Sequence, residues 1–278
     1  MLAIAGLASC APTTGNTQLG DPFYKRSVSS NGIPILASGK VSRQTLSRTR
    51  RIISQMLSHR PDLGEVLVRE GYRLAIMAET EAITDLPENA HWKRPERGDP
   101  RLTRCERKHY DVRIGQKTDR QYWNERTRGI GGKFTVGAEE DVLGLRSSRY
   151  YGETILVHEF AHNILTAIQF SDAVLYAEVE AAYVKALEEG LWKDEYASTT
   201  IQEYWAEGTQ FWFNSNRLAV FGGRQILNHD DLAAYDPRLA ATLRQAYGDR
   251  HELAGDPFYR HPARVPAGPI PENTAEVC

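Results

Sequence analysis

The chain is short of the features that would tie it to a bilayer or to nucleic acid. No apolar run reaches the roughly 18–20 residues needed to span a membrane. Its 34 basic and 36 acidic residues leave a net charge of −2, so no global field draws it to nucleic acid or to an acidic lipid surface. The one basic run, "KVSRQTLSRTRR" at 40–51, is balanced by the rest of the chain and reads as the solvated face of a helix. Cysteine is scarce, with Cys10, Cys105 and Cys278 only. Methionine is scarcer in the second half: Met1, Met56 and Met77 all lie early.

What is present is ordinary for a globular protein: 41% hydrophobic and 25% charged residues, in a length that suits one large domain or two small ones. The opening "MLAIAGLASCAPTTGNTQLG" begins apolar and turns into a polar tether, as the end of an export signal does, although no positive segment precedes it. Within it "LASC" resembles a bacterial lipobox with Cys10 as the lipid-bearing residue, so residues 1–19 are expected to be an export remnant or lipoprotein-like tether. The expected location is the cell envelope or beyond. Membrane contact would come only through that lipid. In an oxidising compartment Cys105 and Cys278 could pair, pinning the C-terminus.

Along the chain, "IPILAS" reads as a strand, 42–58 as an amphipathic helix with Leu46, Ile52, Ile53, Met56 and Leu57 inward, and 72–79 as a buried strand. Residues 86–132 are rich in charge, Pro and Gly and lack periodicity; His91, His109 and Tyr122 within them read as surface residues. "GKFTVGAEEDVLGL" (132–145) reads as strand material. Helices follow over 172–190, ending at Gly190, from Ser198–Thr200 onward, and from near Pro237. The last thirty residues are Pro-rich and irregular. "GDPFY" occurs twice, at 20–24 and 255–259, in unlike surroundings. The expected divisions are 20–145, an α/β part carrying the long polar loop; 146–250, a helical part; and 251–278, a tail.

The residues that carry chemistry lie in "ILVHEFAHNI", 155–164. His158 and His162, four apart on a helix, share a face with Cβ atoms about 5–6 Å apart and can converge on one zinc ion. Glu159 stands beside the first histidine, where its carboxylate can reach a metal-bound water as a general base. Apolar residues cover the rest of the helix. Two histidines and a glutamate in such a setting are costly without partners, which disfavours the alternative of two core histidines. A catalytic zinc needs a third protein ligand. A third histidine six residues on is absent, since position 168 is Ile, and no methionine follows the motif. "TIQEYWAEGTQFW" instead supplies Glu203 and Glu207, four apart on one face. One can ligate; the other can accept the N–H of a ligand histidine. Thr200 with Glu203, or Thr199 with Gln202, also fits a helix capping box.

"HEFAH" followed some forty residues later by "EYWAE" resembles the catalytic domain of anthrax lethal factor and its relatives, zinc peptidases of the gluzincin type. The match covers roughly 140–215. A broader set of exported proteins carrying "ILAS", "TDLPE" and "EYWAEG" is also similar. The resemblance implies Glu203 as third ligand, Glu207 as the residue supporting a ligand histidine, and Tyr196, seven residues before the ligand, near the reacting carbonyl. It implies an α+β, zincin-like fold: a small N-terminal mixed sheet with helices, an active-site helix bearing H-E-x-x-H, and a helical C-terminal part. The expected activity is hydrolysis of peptide bonds by one zinc per chain, through a zinc-bound water with Glu159 as base. Peptide or protein substrate would add along a sheet edge near 139–145, whose acids would favour basic residues. The alternative is an exported zinc-binding protein without peptidase activity. Nothing points to a toxin's receptor-binding or translocation region.

Overall fold

The computed structural model describes residues 20–100, 102 and 104–270. The lipid-bearing candidate Cys10, the tether 1–19 and Cys278 lie outside them.

A tight hairpin opens the described chain. Strands β1 (Arg26–Ser30) and β2 (Ile33–Ala37) pair antiparallel across Asn31-Gly32, both at positive φ, as such a turn requires. Only β2 was legible in the sequence. Helix α1 (Arg43–Met56) has Ser42 as its cap and buries the five predicted inward residues. A second helix, α2 (Pro61–Arg69), starts on a proline at its first position and was not foreseen. β3 (Arg73–Met77) and β4 (Phe134–Ala138) then complete a mixed sheet in the order β1-β2-β3-β4, with β2, β3 and β4 parallel. The fold is thus mixed α/β with a small mixed sheet, and no helix of the described residues is long and apolar enough to cross a membrane.

Alternation along the strands divides the sheet into two faces. Ile33, Ile35, Leu74 and Ile76 join the main core with the helices, while Leu36, Ala75, Met77, Val136 and Ala138 face the other way. That second face is covered by Ile83, Leu86, Trp92, Trp123 and Ile130. Much of 86–132 therefore roofs the sheet. It carries α3 (Arg104–Lys108), a π-helical turn (Asp111–Gly115) and α4 (Asp119–Arg126), around a small core of Leu102, Tyr110, Ile114 and Tyr122. His91 and His109 are exposed as expected, but Tyr122 is buried among these apolar neighbours, correcting its surface assignment. Cys105 is buried and disulfide-bonded.

The expected strand at 139–145 is absent. Glu139–Leu143 forms a short helix, α5, closed by Gly144 at φ 69°. The reason lies in its acids, which serve two neighbouring helices. Glu139 Oε1 accepts from the Ser42 N–H at 2.7 Å and the Thr45 hydroxyl at 2.8 Å, at the start of α1. Asp141, fully buried, accepts from the N–H groups of Ile155 and Leu156, both at 3.3 Å, at the start of the next helix. These carboxylates are occupied inside the fold, so neither a substrate edge nor a basic preference resides there.

That next helix, α6 (Ile155–Ser171), carries the H-E-x-x-H residues. It lies on β4, where Gly137 makes room: a Cβ there would stand 3.2 Å from Leu156 Cδ1. α7 (Ala173–Glu188) follows with Asp172 as cap and Gly190 in the left-handed region just past its end. α8 (Ile201–Trp212) makes the most extensive helix–helix contact with α6. A hairpin, β5 (Ala219–Phe221) and β6 (Arg224–Ile226), and two helices, α9 (His229–Tyr235) and α10 (Pro237–Tyr247), complete the set. Buried Asp236 fixes α8 against α10, taking hydrogen bonds from Tyr204 Oη (2.7 Å), Trp192 Nε1 (2.9 Å) and the Leu239 N–H (3.0 Å). The main core runs from β2 through α10 without a break at 145. The two "GDPFY" copies share one local device: Asp21 and Asp256 each accept from the N–H two residues on, at 2.8 and 2.7 Å.

Candidate metal centre

On α6 the four-residue spacing puts His158 and His162 on one face, ring centroids 4.9 Å apart. α8 crosses above them and brings in Glu203. The start of α8 explains why that carboxylate is available. Thr200 is the cap, its hydroxyl accepting from the Glu203 N–H at 3.1 Å. The Glu203 carboxylate does not return to close a capping box; it points at the histidines. Its Oε2 stands 3.0 Å from His158 Nε2 and 3.6 Å from His162 Nε2. Its Oε1 accepts from Tyr196 Oη at 3.0 Å. His158, His162 and Glu203 are the one trio among the described residues whose ligand atoms gather within 4.8 Å of one another.

Zinc bonded tetrahedrally at about 2.0–2.1 Å needs ligand atoms about 3.3–3.4 Å apart. The separations of 3.0 and 3.6 Å straddle that value. The donor set of two imidazoles and one carboxylate is a catalytic zinc's set. The residues present fit the ion.

The electrostatics point the same way. Burial pushes Glu159 up to about 7 against the pull of His158, with Glu203 adding to the rise. Burial likewise pushes Glu207 up to about 7. His158 is held up at about 9: burial opposes its charge, but the hydrogen bond to Glu203 and the charges of Glu207 and Glu159 outweigh it. His162 is driven down to about 4 by burial and by the charge on His158. Glu203 is lowered despite its burial, by the hydrogen bond and charge of His158. Three carboxylates share a poorly solvated space with two imidazoles, and only one imidazole can be charged. A cation relieves that imbalance.

Glu207, assigned in the sequence to support a histidine, has its Oε1 3.6 Å from His158 Nδ1, outside hydrogen-bonding range. Its Oε2 accepts from Asn216 Nδ2 at 3.0 Å. The nearer group is Gln210, whose Oε1 lies 3.1 Å from His158 Nδ1. Sequence reading missed it, although it lies one turn beyond Glu207 on the same helix. Tyr196, in a 3₁₀ turn (Tyr196–Ser198) ahead of α8, stands over the site half exposed, its ring stacked 6.4 Å from that of His158.

A second missed feature is a glycine strap, "GIGG" at 129–132, at the end of the long loop. Ile130 exchanges two hydrogen bonds with Val136 of β4, at 3.1 and 2.9 Å, so the strap forms a short antiparallel edge beside α6. Side chains would not fit between. A Cβ at Gly129 would sit 3.0 Å from Glu159 Cγ, and one at Gly131 would sit 2.7 Å from His162 Cδ2. Glu159 thus packs directly against the strap's backbone. Two groups hold the strap. Arg128, buried, forks onto Glu140 at 2.7 and 3.0 Å. Asn163 accepts from the Gly132 N–H at 3.0 Å and donates to Thr135 at 2.6 Å. The available signal was the glycine run ahead of a strand.

No family model matches the chain, and no curated protein matches it. Among solved structures it is similar to a Pro-Pro endopeptidase (PPEP-2) from Paenibacillus alvei, with a TM-score of 0.46 and 14% identity, over 76% of this chain and 96% of that one. A likeness that distant leaves the site to be read from its own geometry.

Proposed function

We propose that the protein is a zinc-dependent endopeptidase, with His158, His162 and Glu203 holding the ion and Glu159 as general base. The observation that carries this reading is the convergence of both Nε2 atoms on Glu203 Oε2, with the half-buried Glu159, its pKa near neutral, beside the same space. A zinc ion held there supplies Lewis acidity, polarising the scissile carbonyl and acidifying water.

The chain's own residues do the rest. Glu159 takes the proton of the attacking water and returns it to the departing amine nitrogen; a pKa near 7 suits both transfers. The strap packs against Glu159 and keeps its carboxylate in place between them. Tyr196 turns its hydroxyl from Glu203 to donate to the oxyanion of the tetrahedral intermediate. Peptide adds as a strand along the outer edge of Gly129–Gly131, in place of the edge expected at 139–145. The groups of Gly129 on that edge are closed by Thr127, whose Oγ1 accepts from the Gly129 N–H at 3.0 Å and donates back to the Gly129 carbonyl, so substrate displaces that hydroxyl. Export and a lipid anchor at Cys10 are part of the same proposal.

Elemental mass spectrometry of protein purified without added metal, together with digestion of a peptide library, tests the reading. About one zinc per chain, and cleavage abolished in Glu159→Gln, is the expected result. Absence of zinc uptake on titration refutes it. Zinc without cleavage by either form transfers the assignment to a zinc-binding protein, for which the placement of Glu159 has no use.

A further inference from the structure

Each imidazole of the candidate centre offers Nε2 to the ion and must place its Nδ1–H elsewhere. On metal-binding histidines that second contact fixes both tautomer and ring orientation. Two glutamines of α8 meet this need. Gln210, 1% exposed, is clamped from two sides. Its Nε2 donates to the Thr154 carbonyl at 3.4 Å, which turns its Oε1 toward His158 Nδ1 at 3.1 Å. An amide oxygen only accepts, so Nδ1 carries the hydrogen, and the Nε2 that donates to Glu203 here would offer its lone pair to an ion once that proton leaves.

The other histidine presents the same need in unfinished form. His162 Nδ1 is buried without a hydrogen-bond partner among the described residues, and so is Gln202 Oε1. Both the side chain and the backbone of Gln202 lie against His162, so the two unpartnered side-chain atoms belong to neighbouring groups. Leaving either unmet is costly. One side-chain rotation that joins them removes both costs.

We propose that Gln210 and Gln202 are the positioning residues of His158 and His162, each holding its ring as the Nδ1–H tautomer through a neutral amide oxygen, and that Glu207 is not. Glu207 is beyond hydrogen-bonding range of His158 Nδ1 and is engaged by Asn216. The consequence is chemical. Carboxylates in these positions would add negative charge behind both ligands and damp the Lewis acidity of the ion. Amides orient without adding charge. Glu203 is then the one ionised group that touches the metal.

The proposal rests on the zinc site itself, and its test separates the two. Zinc affinity is measured by chelator competition on the full chain, with thermal melts confirming that each variant folds. If wild type takes up no zinc, the zinc reading fails. If wild type binds, Gln210→Leu and Gln202→Leu are each expected to weaken affinity about 10–100-fold. Gln210→Glu, which keeps an acceptor, should bind within a few-fold of wild type, and Glu207→Gln should also stay near wild type. Wild-type affinity in both leucine variants overturns the proposal, as does a loss in Glu207→Gln equal to that in Gln210→Leu. Should a leucine variant not fold, zinc-loaded wild type labelled with ¹⁵N-histidine decides. Two exchange-protected Nδ1–H signals are expected, and rapid exchange at both overturns the proposal.

Discussion

Replacing Gly131 by alanine tests whether the strap truly lies on the site. The added Cβ would meet His162 Cδ2 at 2.7 Å, His162 Cβ at 3.0 Å and the Glu159 carbonyl oxygen at 3.0 Å. Carbon atoms in good contact stand about 3.5–4.0 Å apart, so the strap must rise by about 1 Å. The helix cannot yield instead, because the oxygen belongs to its backbone and the His162 ring is held between α6 and α8. Overpacking of this kind costs about 1–3 kcal/mol, which in a chain of this size lowers the melting temperature by about 2–10 °C. The rise also lifts the strap from Glu159 and shifts the proposed substrate edge. A displacement of that size costs about 10²-fold in turnover. Gly98→Ala is the control, since nothing stands within 4 Å of its added Cβ and its φ is not positive. Thermal melts and the rate of peptide cleavage read both effects. A Gly131→Ala protein that melts and cleaves like wild type would show that the strap does not rest on α6.

Three further outcomes follow from the site and its supports. Arg128→Met leaves Glu140 buried and unpaired, so chemical denaturation should show a loss of about 3–5 kcal/mol, with Arg128→Met/Glu140→Leu recovering much of it; equal stability of the two variants would contradict the ion pair's role. Tyr196→Phe should keep zinc, because the hydroxyl is not a ligand, and lose about 10²–10³ in kcat; an unchanged kcat would remove Tyr196 from the mechanism. Chelator-treated protein should lose stability as pH rises from 6.5 to 9. Glu159 and Glu207, raised to about 7, and His158, raised to about 9, bind protons more tightly folded than unfolded, and that stabilisation disappears as pH passes each folded value. His162, lowered to about 4, opposes them only below 6.5. Scanning fluorimetry at several pH values, with zinc expected to flatten the slope, checks this; a melting temperature that climbs over that range contradicts the charge balance described here.

The elements that could be read from the sequence were those whose cause is local. The α1 stripe, the stop at Gly190 and the four-residue spacing of His158 and His162 follow from local helix geometry, which needs no distant partner. Glu203 was legible because a second helix repeats the same spacing, though only the crossing of α6 and α8 aims its carboxylate at the histidines. Elsewhere tertiary contacts decided. "EEDVLGL" has too short a pattern to choose between strand and helix, and its acids chose by capping α1 and α6. Tyr122 went inside because the long loop closes on a small core of its own. The strap at 129–132 has no side chains to form a pattern, and its role exists only where β4 holds it against α6. Gln210 displaced Glu207 beside His158 over a difference of half an ångström, fixed by a carbonyl at Thr154. The sequence by itself determined which side chains can act as metal ligands and which of them share a face, because that spacing is written into single helices. Which residues support, cover and approach that chemistry was decided by the packing of segments far apart in the chain.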